Sequence, residues 1–409
     1  MIGKISGLLF ARAVTLTTLL LFNFLLVKHL TANEIGVYYL MTTISYLGNA
    51  VVFVGADLFL QKKIAKDIQV GRLNKSAFLD FLFKTSLMGS LVVLIFSLCI
   101  FSFLKVEFVQ SVLVCTLLTT TTYLTSLLRN IYQTAAKPFS SSAIQLADTV
   151  VKLLTIFIFV QFQQTTAHFL LLSYLFASAV LLIVIILFFL STHKNTHTNN
   201  YFEGFLVLGR QIFPIGGAGF LNWVQLQSYR PYLSITQHNF SAIGAISFLT
   251  NLGSTATNAV MTILSQLYLP RIYATQGRFS LSYLILIACF GCVLALLSLP
   301  FGWLFLTLAN KEEMISAIYL IPIGVFQEVI NAMIGGLTIH YSIRGLTLSI
   351  FPFCTLSGVI LMLIMLAILF YFKLPVFFTI ALSLISSQLL VIVLLFIYTI
   401  KNRMLSYKD

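Results

Sequence analysis

The feature that most constrains this chain is a train of apolar stretches, each about as long as a bilayer is thick. Twelve occur, near 7–28, 35–60, 80–104, 108–128, 138–161, 167–190, 206–229, 243–266, 281–308, 314–337, 349–372 and 376–400. A helix rises about 1.5 Å per residue, so roughly 20 residues cross a hydrocarbon layer about 30 Å thick. Inside that layer each backbone N–H and C=O must find a partner within the chain, which repeated segments of this length achieve as helices. Only 9% of the 409 residues are charged and 59% are hydrophobic, against about 25% charged in a soluble domain. The expected fold is an all-α polytopic membrane protein with about 12 transmembrane helices.

Charge sets the orientation. With the N-terminus inside, 18 Lys and Arg fall on cytoplasmic loops, tails and helix ends, among them Lys4, Arg12, Arg72, Arg129, Lys137, Lys194, Arg210 and Arg271. Five fall outside (Lys28, Lys105, Arg230, Lys311, Lys373) and Lys152 is mid-span. This bias places both termini in the cytoplasm. The net charge of +13 is thus read as basic membrane loops and not as a nucleic-acid surface. The longest polar stretches, near 61–78 and 191–205, leave no room for a soluble catalytic domain, and no GxxxxGK[ST] phosphate loop is present. The first apolar run spans a membrane and lacks a small-residue cleavage site, so it is retained as a helix. Cys289 and Cys292 form a CxxC, but all five cysteines lie in apolar runs and are expected to be buried small hydrophobes. His193 and His197 stand four apart in a Thr- and Asn-rich loop, read as a solvated linker and not a metal site.

The two halves repeat. Ile35–Leu40 (IGVYYL) matches Ile243–Phe248 (IGAISF) at an offset of 208, which also pairs Lys63 with Arg271 and Ile131 with Ile339. One offset joining three topologically equivalent places predicts two six-helix lobes of like orientation, at 1–198 and 199–409, around a central cavity. The segment Leu206–Pro231 (LVLGRQIFPIGGAGFLNWVQLQSYRP) opens the second copy. Pro214 and the Gly216–Gly219 cluster are expected to break its first half, and Asn222, Trp223, Gln225 and Gln227 suit a cavity wall. Pro300, Pro322 and Pro352 are further expected interruptions.

Six plus six spans, the Gly-containing IGVYYL opening the second helix, the LLRNIYQTAAKP turn and FLNW in the seventh helix resemble the multidrug/oligosaccharidyl-lipid/polysaccharide exporter superfamily. Within it the chain is most similar to the polysaccharide-transporter branch and its O-antigen repeat-unit flippases (Wzx-type). Many of those relatives carry an Asp before the Arg ending helix seven; this chain has Gln227–Ser228–Tyr229–Arg230, so no carboxylate role transfers there. The resemblance implies a flippase in the bacterial inner (cytoplasmic) membrane. It would move undecaprenyl-pyrophosphate-linked oligosaccharide, an O-antigen or similar surface polysaccharide unit, to the periplasmic leaflet by ion-coupled alternating access. It would be a transporter and not an enzyme, surrounded by membrane lipid, with a polymerase and a chain-length regulator as partners. A cation-coupled multidrug exporter of the same superfamily and a glycan polymerase or acyltransferase are the alternatives. The last needs a large outer loop or a catalytic His/Asp pair, and neither is seen.

A charged glycan crossing lipid requires a polar path. Arginine forks suit phosphate, whereas amides, hydroxyls and aromatic faces suit sugars. The candidate substrate-binding residues are Arg230, Arg210, Arg12, Lys152, Gln225, Asn222 and Tyr229. For Arg210 and Arg12, near the inner boundary, anion contact and outward snorkelling both stand open. Asp148 and Lys152 form an i,i+4 pair deep in helix five, either a structural ion pair or a site where substrate phosphate competes for Lys152 and frees Asp148 for a proton or sodium ion. Glu328, deep in helix ten, is the second ion-coupling candidate, with a cross-helix salt bridge as the competing reading. Asp57 is read as structural, and Thr119–Thr122 as backbone-bonded or cavity-lining. No cofactor is expected beyond a coupling proton or sodium ion, and no metal site.

Overall fold

The computed structural model describes residues 2–57, 59–60, 68, 72–104, 108–134, 137–162, 166–195, 205–275, 277–343 and 350–401. The repeat boundary at 198–199, His197, Lys63 and the Ala135–Ala136 turn lie outside the described residues.

The described residues are helical almost throughout. In order come α1 (Ile2–His29), α2 (Ala32–Gly48), α3 (Lys75–Ser102), α4 (Phe108–Thr134), α5 (Pro138–Gln161), α6 (Ala167–Thr192) and α7 (Phe205–Gln227). There follow a short α8 (Tyr229–Thr236), then α9 (Phe240–Ala274), α10 (Ser280–Leu308), α11 (Leu320–Ile343), α12 (Ile350–Tyr371) and α13 (Val376–Lys401). Among the described residues, ten helices are long and apolar enough to cross a membrane. With α7 (23 residues) and α9 (35 residues), whose Asn, Gln, Ser and Thr dilute the apolar runs, they make the twelve long helices expected. Large apolar side chains such as Phe83, Ile95, Phe176 and Leu296 are exposed, as a lipid-facing surface requires.

Local chemistry sets the ends. Thr31 accepts a hydrogen bond from the Glu34 amide (3.3 Å) at the start of α2, and Asn74 caps α3 through the Ala77 amide (3.2 Å). Pro138 opens α5 where a proline costs no hydrogen bond. The Glu34 carboxylate also accepts from the Ala167 amide (2.6 Å), placing an anion at the N-terminus of α6.

Four expectations are corrected. Helix α7 runs unbroken through Pro214 and the glycine cluster, and the break falls at Ser228, between α7 and α8. Pro322 and Pro352 are third residues of α11 and α12, where proline fits a helix, and Pro300 lies inside a continuous α10. Cys99, Cys289 and Cys292 are exposed on membrane helices; only Cys115 and Cys354 are buried. His193 is buried and not solvated: its Nδ1–H donates to the Phe189 carbonyl (2.7 Å). Beside it, β1 (Arg72–Leu73) pairs in parallel with β2 (Lys194–Asn195), joining the two long polar stretches.

By contact the chain forms two compact units, one of Met1–Trp223 with Arg230–Phe240, the other of Val224–Tyr229 with Ser241–Asp409. Most of α7, through Trp223, packs in the first unit. The reason lies in its glycines. A Cβ on Gly216 would stand 1.8 Å from the Val51 carbonyl oxygen, and one on Gly219 2.0 Å from that of Ala50. Those carbonyls belong to a π-helical turn, Asn49–Phe53, that follows α2; such turns insert one extra residue and recur at functional sites. The first unit's core is built on Phe53, Phe78, Phe81, Leu127 and Phe189 at one end and Leu40, Ile44, Val93 and Leu171 at the other. In the second unit, α10 packs on α11 and α12 on α13. Its core gathers Leu284, Leu337, Tyr341 and Leu395, with the Tyr341 hydroxyl bonded to Thr399 (2.8 Å).

Candidate functional site

The first unit encloses a cavity of about 330 Å³ between the π turn, α4, α5 and α6. Helix α5 contributes Gln145, Asp148 and Lys152, spaced three and four apart and so on one face. Lys152 Nζ lies 3.1 Å from Asp148 Oδ2, and the two side chains are 29% and 22% exposed. The Tyr174 hydroxyl on α6 donates to Asp148 Oδ1 (3.0 Å), and Lys152 Nζ sits 5.3 Å from the centre of the Tyr174 ring. Helix α4 adds Thr122, Tyr123, Thr125, Ser126 and Arg129, α2 adds Tyr46, and the π turn adds Asn49.

Arg12 stands behind this wall. It is 6% exposed, donates through Nη1 to Gln145 Oε1, and its Nε has no hydrogen-bond partner among the described residues. Arg129 and Arg12 lie within electrostatic range of each other, and Arg129 within range of Asp148 and Asp57. Three cations therefore share this region with two carboxylates. Asp57 accepts from Asn130 Nδ2 (2.7 Å), in keeping with a structural role. Of the threonine run, Thr119 bonds to the Ser45 and Cys115 carbonyls (2.9 and 2.8 Å), while Thr122 lines the cavity.

The other candidates lie elsewhere. Arg230 is half-buried, donates to Thr43 Oγ1, and rests over the Tyr39 ring at 5.4 Å. Thr43 is gripped twice, because its carbonyl accepts from Trp223 Nε1 (3.0 Å). Arg210, its counterpart nearer the start of α7, is exposed, as is Asn222. In the second unit, Gln225 is buried and donates to Ser387 Oγ (3.3 Å), and the Tyr229 hydroxyl bonds to Ser247 (3.1 Å). Glu328 accepts from Asn258 Nδ2 (2.7 Å); among the described residues no cation pairs with it. No group of three or more His, Cys, Asp or Glu among the described residues is arranged to hold a metal ion.

Sequence reasoning paired Asp148 with Lys152 but did not assign Arg129 to the site. Its basic side chain lies near the end of α4, where by sequence it bears only on the expected orientation. One signal was available: Arg129 lies seven residues from Thr122, on the same face of α4 as that polar run.

No protein-family model matches the chain, and no curated protein matches it. Solved structures do. An inward-facing multidrug resistance MATE family transporter of the MOP superfamily aligns over 97% of this chain and 98% of its own, with a TM-score of 0.69 and 14% identity. A MOP superfamily transporter from Pyrococcus furiosus, described as having a binding pocket of reverse polarity, aligns over 98% and 96%, with a TM-score of 0.65 and 14% identity. The lipid II flippase MurJ, in an inward closed conformation, aligns over 97% and 87%, with a TM-score of 0.62 and 14% identity. The chain thus has the fold shared by the MATE transporters and MurJ.

Proposed function

We propose that this protein is a membrane flippase that carries a polyprenyl-pyrophosphate-linked oligosaccharide, an O-antigen or similar surface-glycan unit, from the cytoplasmic to the periplasmic leaflet. Carriage by alternating access is supported by the fold shared with MATE transporters. A lipid-linked substrate is supported by the likeness to a lipid II flippase. The observation that carries the substrate's charge is the first unit's cavity, where Arg129 and Lys152 face a single lining carboxylate, Asp148, amid hydroxyls. A cation exporter would need the reverse balance. Both termini would lie in the cytoplasm of a bacterial inner membrane, and a glycan polymerase and chain-length regulator would act on the delivered units. The sequence repeat at 1–198 and 199–409 would supply the two lobes.

Coupling to a proton or sodium ion is assigned to Glu328, whose partner is a neutral amide, with Asp148 as a second carboxylate. The decisive experiment deletes the gene and follows lipid-linked glycan. Repeat units trapped on the cytoplasmic face, with surface glycan lost, are expected. Intact surface glycan with hypersensitivity to cationic dyes would replace this reading with drug export.

A further inference from the structure

The cavity of the first unit already holds an anion, and that anion is the protein's own. The Asp148 carboxylate takes the Lys152 ammonium at 3.1 Å and the Tyr174 hydroxyl at 3.0 Å. Arg129, on the same wall, is not satisfied in this way. Among the described residues its one hydrogen bond is a long one, Nε to Asn130 Oδ1 at 3.4 Å, and Asn130 is itself held to Asp57. The terminal nitrogens of Arg129 therefore lack an acceptor among the described residues, although a guanidinium fork is built to give paired hydrogen bonds to a carboxylate or phosphoryl group. Gln145 has its carbonyl oxygen taken by buried Arg12, so what it has left to offer a guest is N–H donors. At about 330 Å³ the space is at the small end of ligand clefts, room for roughly one or two sugar rings and not for a whole repeat unit.

We propose that this cavity binds an anionic oxygen group, carboxylate or phosphoryl, on a sugar-sized headgroup, and that Asp148 is a placeholder which that group displaces from Lys152. The guest anion would bridge Arg129 and Lys152, with the Gln145 amide donating to it; the Thr125 and Ser126 hydroxyls, which give their protons to the Thr121 and Tyr123 carbonyls (2.9 and 2.8 Å), line the space without donating. The inference rests on the flippase reading only for the source of the anion, an acidic sugar of the glycan or its pyrophosphate link. Asp148 keeps the empty cavity from trapping stray anions, and its displacement makes occupancy conditional on a guest that offers more than one carboxylate does.

The test uses the purified full-length protein, with glucuronate, inorganic pyrophosphate and neutral glucose as probes, read by calorimetry and by ligand-induced thermal stabilisation. Glucuronate, pyrophosphate or both should bind, and glucose should not. Preference between the two anions distinguishes the acidic sugar from the lipid linkage as the source. Asp148→Asn removes the competitor and should tighten anion binding by about three- to tenfold, the worth of a partly exposed pair plus one unit of charge. Arg129→Gln should weaken it by about tenfold or more. A structural ion pair predicts otherwise: folded Asp148→Asn protein that binds the anions no more tightly than wild type overturns the proposal, as does equal binding of glucose. Should Asp148→Asn fail to fold, Arg129→Gln decides alone, and unchanged anion affinity refutes the site. Trapped repeat units in the deletion strain together with no anion binding here would keep the flippase and discard this cavity's role.

Discussion

Two adjacent glycines of α7 should respond to the same substitution with opposite signs. Gly217 has nothing within 4 Å of where a Cβ would stand, whereas on Gly216 a Cβ would meet the Val51 carbonyl oxygen at 1.8 Å. In a helix interior alanine is favoured over glycine by about 1 kcal/mol, so Gly217→Ala should stabilise by up to that amount. At Gly216 the same gain is opposed by overlap: Cβ and oxygen must part by about 1.2 Å to reach even 3.0 Å, and both atoms sit on helix backbones. Overpacking of this kind costs about 1–3 kcal/mol, and backbone against backbone belongs at the upper end. The net expectation is a loss of about 2 kcal/mol for Gly216→Ala, hence a gap of roughly 3 kcal/mol between neighbouring residues. Intrinsic tryptophan fluorescence during thermal unfolding in detergent is well placed to read it, because buried Trp223 lies on the same helix and bonds to Thr43. Melting temperatures should move in opposite directions by a few degrees. Shifts of the same sign, or a tolerated Gly216→Ala, would refute the close seam between α7 and the π turn.

Glu328→Gln keeps an acceptor for Asn258 and should preserve expression while abolishing the dependence of flux on a proton or sodium gradient; gradient-dependent flux at the wild-type rate removes Glu328 from coupling. Arg230→Ala should lower stability by about 1–2 kcal/mol, through loss of the Thr43 hydrogen bond and the Tyr39 stacking, while Arg210→Ala, exposed, leaves the melting temperature unchanged. Burial, with Lys137 and Lys75 adding to it against the opposing Phe189 carbonyl bond, holds His193 below its ordinary 6.5. The folded form therefore favours neutral imidazole. Stability from this group is complete above pH 6.5 and is lost as the pH falls through the lower folded value. His193→Gln should flatten that acid limb of a melting-temperature profile.

The fold was legible because lipid enforces it: runs of bilayer length can resolve their backbone polarity in few ways. The Asp148–Lys152 pair was legible for a local reason, since i,i+4 spacing on one helix fixes proximity without knowledge of tertiary structure. Tyr46, Asn49, Arg129 and Tyr174 were not, as they reach the cavity from three other stretches of chain, and only packing brings them together. The glycines of α7 were noticed but misread. Their sequence signature is the same whether a helix breaks or another backbone approaches it, and here the carbonyls of Ala50 and Val51 decide for approach. The π turn has no residue-type signature at all.

That seam also bears on how the protein is made. Translation delivers α1 to α6 before α7 exists, so the unit that holds the cavity is structurally unfinished after six spans have entered the membrane. Until α7 arrives, the bed formed by Ala50 and Val51 is open to whatever small-residue helix is near. The unit closes only when the chain has been extended to Phe240. A gene split after residue 198 should therefore give an amino-terminal fragment that depends on its partner or on a chaperone for stability. One split after residue 240 should give a fragment that carries its own missing piece.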